Sequence, residues 1–80
     1  MQETTPLSLT LMQAADFHGP VEIAAHENGF VSKIVAPSTV IAAALLRHKR
    51  QELANEEIAS AVVILSMGAD TKTHENVLFH

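Results

Sequence analysis

Val21-Glu22-Ile23-Ala24-Ala25-His26-Glu27, then Asn28-Gly29, then Phe30-Val31-Ser32-Lys33-Ile34-Val35 is the stretch on which the fold turns. Asn-Gly between two apolar runs is the preferred type I′ hairpin turn, because both central residues take positive φ. A two-residue loop there sets Glu27 opposite Phe30, Ala25 opposite Ser32, Ile23 opposite Ile34 and Val21 opposite Ala36. Opposed residues share a face. One face therefore carries Val21, Ile23, Ala25, Phe30 and Ile34 and is predicted to be the core face. The other carries Glu22, His26, Val31, Lys33 and Val35, with Glu22 and Lys33 diagonal neighbours and the two valines open to a partner.

Downstream of the hairpin, Ala36-Pro37-Ser38 ends the strand and starts a helix, with Ser38 as N-cap and Thr39 to Ala54 built of helix-compatible residues. Ile41, Leu45 and His48 share one stripe, and Ala42, Leu46 and Leu53 an adjacent one. Asn55-Glu56-Glu57 reads as a second helix start, an N-cap followed by acids in the first turn. Ile58, Ala61, Val62 and Leu65 then recur at helical spacing up to Gly68. The run Val62-Val63-Ile64-Leu65 is β-branched and apolar on every side, so a buried strand competes with that helix. Val77-Leu78-Phe79 can add a short final strand.

Upstream, residues 1–5 are a polar tail, and Leu7, Leu9 and Leu11 alternate with Ser8, Thr10 and Met12 as a strand burying one face would. A helix from Leu7 to Phe17 is the alternative, and Gly19-Pro20 is a turn. The sum is an α+β domain spanning the whole chain: a small antiparallel sheet, strand plus β-hairpin, packed against two helices, with a possible short C-terminal strand.

Eighty residues without cysteine leave no disulfide or thiolate framework to support so small a core. Charged residues make up 18% of the chain and apolar ones 48%, so part of the surface is expected to be covered. An apolar-all-round segment at Ala61 to Met67 and the valines of the hairpin's outer face both point to self-association, with a homodimer as the simplest form. No apolar run reaches membrane-spanning length, which predicts a cytoplasmic protein with no membrane partner.

Catalytic signatures are missing: there is no cysteine, no Gly-x-Ser-x-Gly elbow and no glycine-rich phosphate loop. The five histidines, His18, His26, His48, His74 and His80, have no metal-ligand spacing, so neither a metal nor another cofactor is expected. Protonating all of them would reverse the net charge of −4, which predicts pH-dependent solubility or association.

The order strand (Phe30 to Val35), Pro37, helix, Asn55-Glu56-Glu57-Ile58 resembles the ribbon-helix-helix repressors, in which a strand from each protomer pairs across a dimer and reads DNA. Separately, Asn55-Glu56-Glu57-Ile58-Ala59 with Thr71-Lys72-Thr73-His74 is similar to words of LuxR-type helix-turn-helix domains. Each likeness covers under half the chain. Together they imply a dimeric DNA-binding regulator using Arg47, Lys49 and Arg50, assisted by Lys33 or Lys72. The net charge of −4 weighs against that class, since phosphate neutralisation dominates nucleic-acid affinity.

The favoured reading is a small acidic, non-enzymatic protein that binds and inhibits or tethers another macromolecule. Phage and mobile-element inhibitors of host defence, anti-CRISPR proteins among them, or of transcription machinery are of this kind. The partner would be another protein, such as a nucleic-acid-binding complex. Glu22, Glu27, Glu52, Glu56 and Glu57 are the candidates for meeting a basic surface, and His26, Val31 and Val35 for an apolar contact.

Overall fold

The computed structural model describes residues 6–27, 29–58, 60–68 and 72–78. Helix α1 (Leu7–Gln13) leads into strand β1 (Val21–Glu27), followed by β2 (Phe30–Ala36), helix α2 (Thr39–Asn55), β3 (Ser60–Met67) and β4 (Lys72–Leu78). The strands form one four-stranded sheet in the order β2-β1-β3-β4, with every neighbouring pair antiparallel. β2 and β3 consequently run in the same direction on either side of β1, joined by α2. The fold is α+β, with both helices packed on one side of the small sheet.

The hairpin register read from the sequence is the one found: Glu27 pairs with Phe30, Ala25 with Ser32, Ile23 with Ile34 and Val21 with Ala36. Gly29 takes φ +82°, the left-handed conformation that the turn requires; Asn28, like the tail at residues 1–5, lies outside the described residues. Val21, Ile23 and Ala25 join Val63, Leu65 and Met67 of β3 in a core closed by Leu7 and Leu11 of α1 and Ala42 and Leu46 of α2. Phe30 is the exception on this face, 74% exposed. It lies at the turn end, where the overlying part of α2 is the polar stretch around Lys49 rather than an apolar one.

Helix α2 forms as the sequence predicts, with the Ile41 N–H donating to Ser38 Oγ at 3.3 Å. Two other elements differ from expectation. Leu7 to Leu11 is helical, not extended: Leu7 and Leu11, four residues apart, are buried on one face while Leu9 is exposed. The helix is anchored from outside, because the Leu7 N–H donates to Glu75 Oε2 of β4 at 3.1 Å.

The second correction is larger. Residues 60–67 are a strand, β3, and Asn55-Glu56-Glu57 is the end of α2 rather than the start of another helix. Glu57 takes φ +59°. The Glu57 N–H donates to the Ala54 carbonyl and the Ile58 N–H to the Leu53 carbonyl, both at 3.1 Å, which is the Schellman pattern that closes a helix. Beyond it the β-branched run prefers a pleated surface. Ala61, Val63, Leu65 and Met67 are buried under the helices, and Val62, Ile64 and Ser66 alternate with them, half-buried. β3 is apolar on both faces: Ala61, Val63, Leu65 and Met67 meet the helices, while Val62 and Ile64 lie on the face that the helices leave open. The ribbon-helix-helix and helix-turn-helix orders are not present, since the segment after Asn55 is extended and β2 is already paired with β1. The last strand, β4, starts earlier than the Val77 to Phe79 expected, and Phe79 lies outside the described residues.

Candidate functional site

Strand alternation assigns Val31, Lys33 and Val35 of β2, Glu22, Ala24 and His26 of β1, Val62, Ile64 and Ser66 of β3, and Lys72, His74 and Asn76 of β4 to the face away from the helices. The registers align them in rows. Val35, Glu22, Ser66 and Lys72 form one, Lys33, Ala24, Ile64 and His74 the next, and Val31, His26, Val62 and Asn76 the third. No element among the described residues covers this face, because α1 and α2 close the opposite one.

The face is mixed in chemistry. Ala24 is buried by its neighbours alone, Val62 and Ile64 are half-buried, and Val31 and Val35 are 51% and 63% exposed. Aliphatic side chains thus extend from Val31 and Val35 of β2 across Ala24 to Val62 and Ile64 of β3, with Lys33 between the two valines, His26 between Val31 and Val62, and His74 and Lys72 on the β4 edge. Lys33 and Lys72 outnumber Glu22, so this face is positive on a chain whose net charge is −4. Among the described residues, Glu22 and Lys33 form no ion pair within 4.0 Å, despite their diagonal relation.

The helix side holds the acids and the rest of the cations. Lys49 is only 6% exposed. Its Nζ donates to Glu52 Oε1 at 2.9 Å and lies 3.9 Å from Glu27 Oε2. The ammonium at Lys49 holds the Glu52 carboxyl below its ordinary value, through the hydrogen bond first and the charge second. Arg50 Nη2 donates to both carboxylate oxygens of Glu75, so a single β4 side chain joins α1, α2 and the sheet. The Arg47-His48-Lys49-Arg50 sequence therefore forms no continuous basic surface: Lys49 and Arg50 turn inward to carboxylates, and Arg47 remains at the rim of a groove between α1 and α2. Glu27 likewise faces Lys49 and not solvent, whereas Glu52 and Glu56 meet at the α2 C-terminus beside His48, Gln51 and Asn55 around an open depression of about 320 Å³. Glu57 is exposed just beyond them.

Of the residues singled out from the sequence, the open face brings together Glu22, His26, Val31, Lys33, Val35 and Lys72. Sequence reasoning gave Val62 and Ile64 only as part of the apolar segment Ala61 to Met67, with no face assigned, and missed His74 and Asn76. The signal available for the first two was the β-branched run itself, whose alternate members must face outward once it is extended. Among the described residues no group of three or more His, Asp or Glu is placed to hold a metal ion. No helix among the described residues is long and apolar enough to cross a membrane. Compared with known proteins, the chain matches no family model, no curated protein and no solved structure.

Proposed function

We propose that this protein is a small cytoplasmic binding module that docks the uncovered face of its sheet onto another protein and thereby blocks or tethers it. The observation that supports the reading is the aliphatic band of Val31, Val35, Val62 and Ile64 on a face that neither helix covers. A two-layer domain ordinarily covers only one side of an antiparallel sheet, and the solvent side is then polar at alternate positions. Here four of those positions are branched aliphatics, two on the edge strand β2 and two on the central strand β3, and exposed aliphatic area on a sheet face is the kind of surface that protein contacts cover. The positive margin, Lys33 and Lys72, favours an acidic rim on the partner. The acids at the α2 end, Glu52, Glu56 and Glu57, are on the helix side and so do not contribute to this contact.

The test is site-specific photo-crosslinking in host cells, with the reactive residue placed at Val35 or His74 on the open face, or at Met12 on the helix side. A discrete adduct to a second, different protein from the first two positions, distinguished by mass from a cross-linked pair of this chain, and none from Met12 is the expected pattern. Adducts from Met12 alone, or the same diffuse labelling from all positions, would refute it.

A further inference from the structure

The sheet has two edges, and they are treated differently. β4 presents the exposed Lys72, His74 and Asn76, the charged and polar residues that protect an edge from pairing with another chain. β2 is as long, seven residues, and its one charge is Lys33; Phe30, Val31 and Val35 are all exposed. We propose that β2 is a homodimerisation edge, pairing antiparallel with β2 of a second copy about a two-fold axis normal to the sheet at Ser32.

The ladder fixes which groups are free. Glu27 and Phe30 flank a two-residue turn and form a hydrogen-bonded pair, so Phe30, Ser32, Ile34 and Ala36 bond inward to β1. The backbone groups of Val31, Lys33 and Val35 then point outward to the open edge. A two-fold normal to the sheet keeps each face on its own side, which restricts the register to like-facing pairs. Centring on Lys33 would oppose two ammonium groups. Centring on Ser32 sets Val31 against Lys33 of the second copy as the hydrogen-bonded pair, and Phe30 against Ile34 on the helix side. It also brings together two Ser32 side chains whose Oγ atoms are buried without a hydrogen-bond partner among the described residues.

The helices fit the same operation. Arg50 faces β4, so helical geometry puts Ile41, Leu45 and His48 on the opposite flank of α2, above the β2 edge. Ile41 is exposed and Leu45 half-buried there. α2 packs over both β1 and β2; with strands about 4.8 Å apart, the two α2 axes come to about 10 Å, the separation of packed helices. The two copies form one eight-stranded sheet with both open faces on the same side. This inference does not rest on the docking reading: the backbone groups of Val31, Lys33 and Val35 pair with the second copy, while their side chains stay on the open face.

The chain has no cysteine, so Ser32→Cys is a unique reporter. A non-hydrogen-bonded antiparallel pair holds its Cα atoms about 4.5 Å apart, within disulfide range. Under mild oxidation Ser32→Cys is expected to give a covalent dimer at least about tenfold faster than Asn76→Cys on the β4 edge, because pre-association raises the effective concentration. Lys33→Pro removes an outward N–H and no bond to β1, and is expected to keep the far-UV circular dichroism of the wild type while sedimenting as a monomer. Wild-type protein that sediments as a monomer at sub-millimolar concentration, equal cross-linking at positions 32 and 76, or a Lys33→Pro protein that stays dimeric would each overturn the assignment. Failure of partner cross-linking from Val35 and His74 bears only on the docking surface.

Discussion

Replacing Glu57 by glycine separates the two readings of the Asn55-Glu56-Glu57 segment by sign. In the structure Glu57 is the left-handed residue that closes α2, with φ +59°. A side chain in that conformation costs about 1–2 kcal/mol. An acid beside the terminal carbonyls costs about 0.3–1 kcal/mol more. Glycine relieves both terms and returns about 0.4–1 kcal/mol through the greater freedom of the unfolded chain. Glu57→Gly is thus expected to stabilise by about 1 kcal/mol, raising the melting temperature by about 4–8 °C for a domain of this size. Glu57→Ala keeps the backbone strain and removes only the charge, so its gain is about 0.5 kcal/mol. Were Glu57 instead in the first turn of a helix, glycine would remove a favourable acid and weaken the helix by about 1 kcal/mol. Paired thermal and urea melts of the three proteins decide the matter. A glycine variant no more stable than the alanine variant, or less stable than wild type, would refute the account of how α2 ends.

Other consequences concern the ion pairs on the helix side. Glu75→Gln leaves the Arg50 guanidinium without its carboxylate and weakens the anchor of the Leu7 N–H, for an expected loss of about 1–2 kcal/mol after allowance for partial exposure. Adding Arg50→Ala to it should cost much less than the two single losses combined, as measured by a double-mutant cycle. The Glu52 carboxyl is held below its ordinary value by Lys49. Its folded-state pKa being depressed, its contribution to stability is complete above the unfolded value and is lost as pH falls through that value and the lower folded one. Glu52→Gln should therefore flatten the melting temperature's fall on the acid side and leave its shape unaltered at neutral pH.

The parts of the fold legible in the sequence were those with a local physical cause. Asn28-Gly29 fixed the register of β1 against β2, and Ser38 marked the start of α2. What could not be read locally was decided by neighbours in space. Leu7 to Leu11 is helical because Glu75, far along the chain, accepts the Leu7 N–H, and because Leu7 and Leu11 find one core face. Asn55-Glu56-Glu57 has the composition of an N-cap, yet it terminates a helix by adopting a conformation that composition disfavours. Once that end is placed, Val62-Val63-Ile64-Leu65 becomes a central strand and its outward residues complete the open face. The basic cluster at Arg47 to Arg50 is broken up for a related reason: the charges of Lys49 and Arg50 are spent on Glu27, Glu52 and Glu75, contributed by two strands and the helix itself.

The open face is central to the functional account, and the most direct measurement is a two-dimensional amide NMR titration of labelled protein with the partner identified by cross-linking. The account predicts shift changes concentrated on Glu22, His26, Lys33, Val62, Ile64 and His74, with Ser8, Met12 and Arg47 unmoved. Changes confined to α1 and the exposed side of α2 would contradict it.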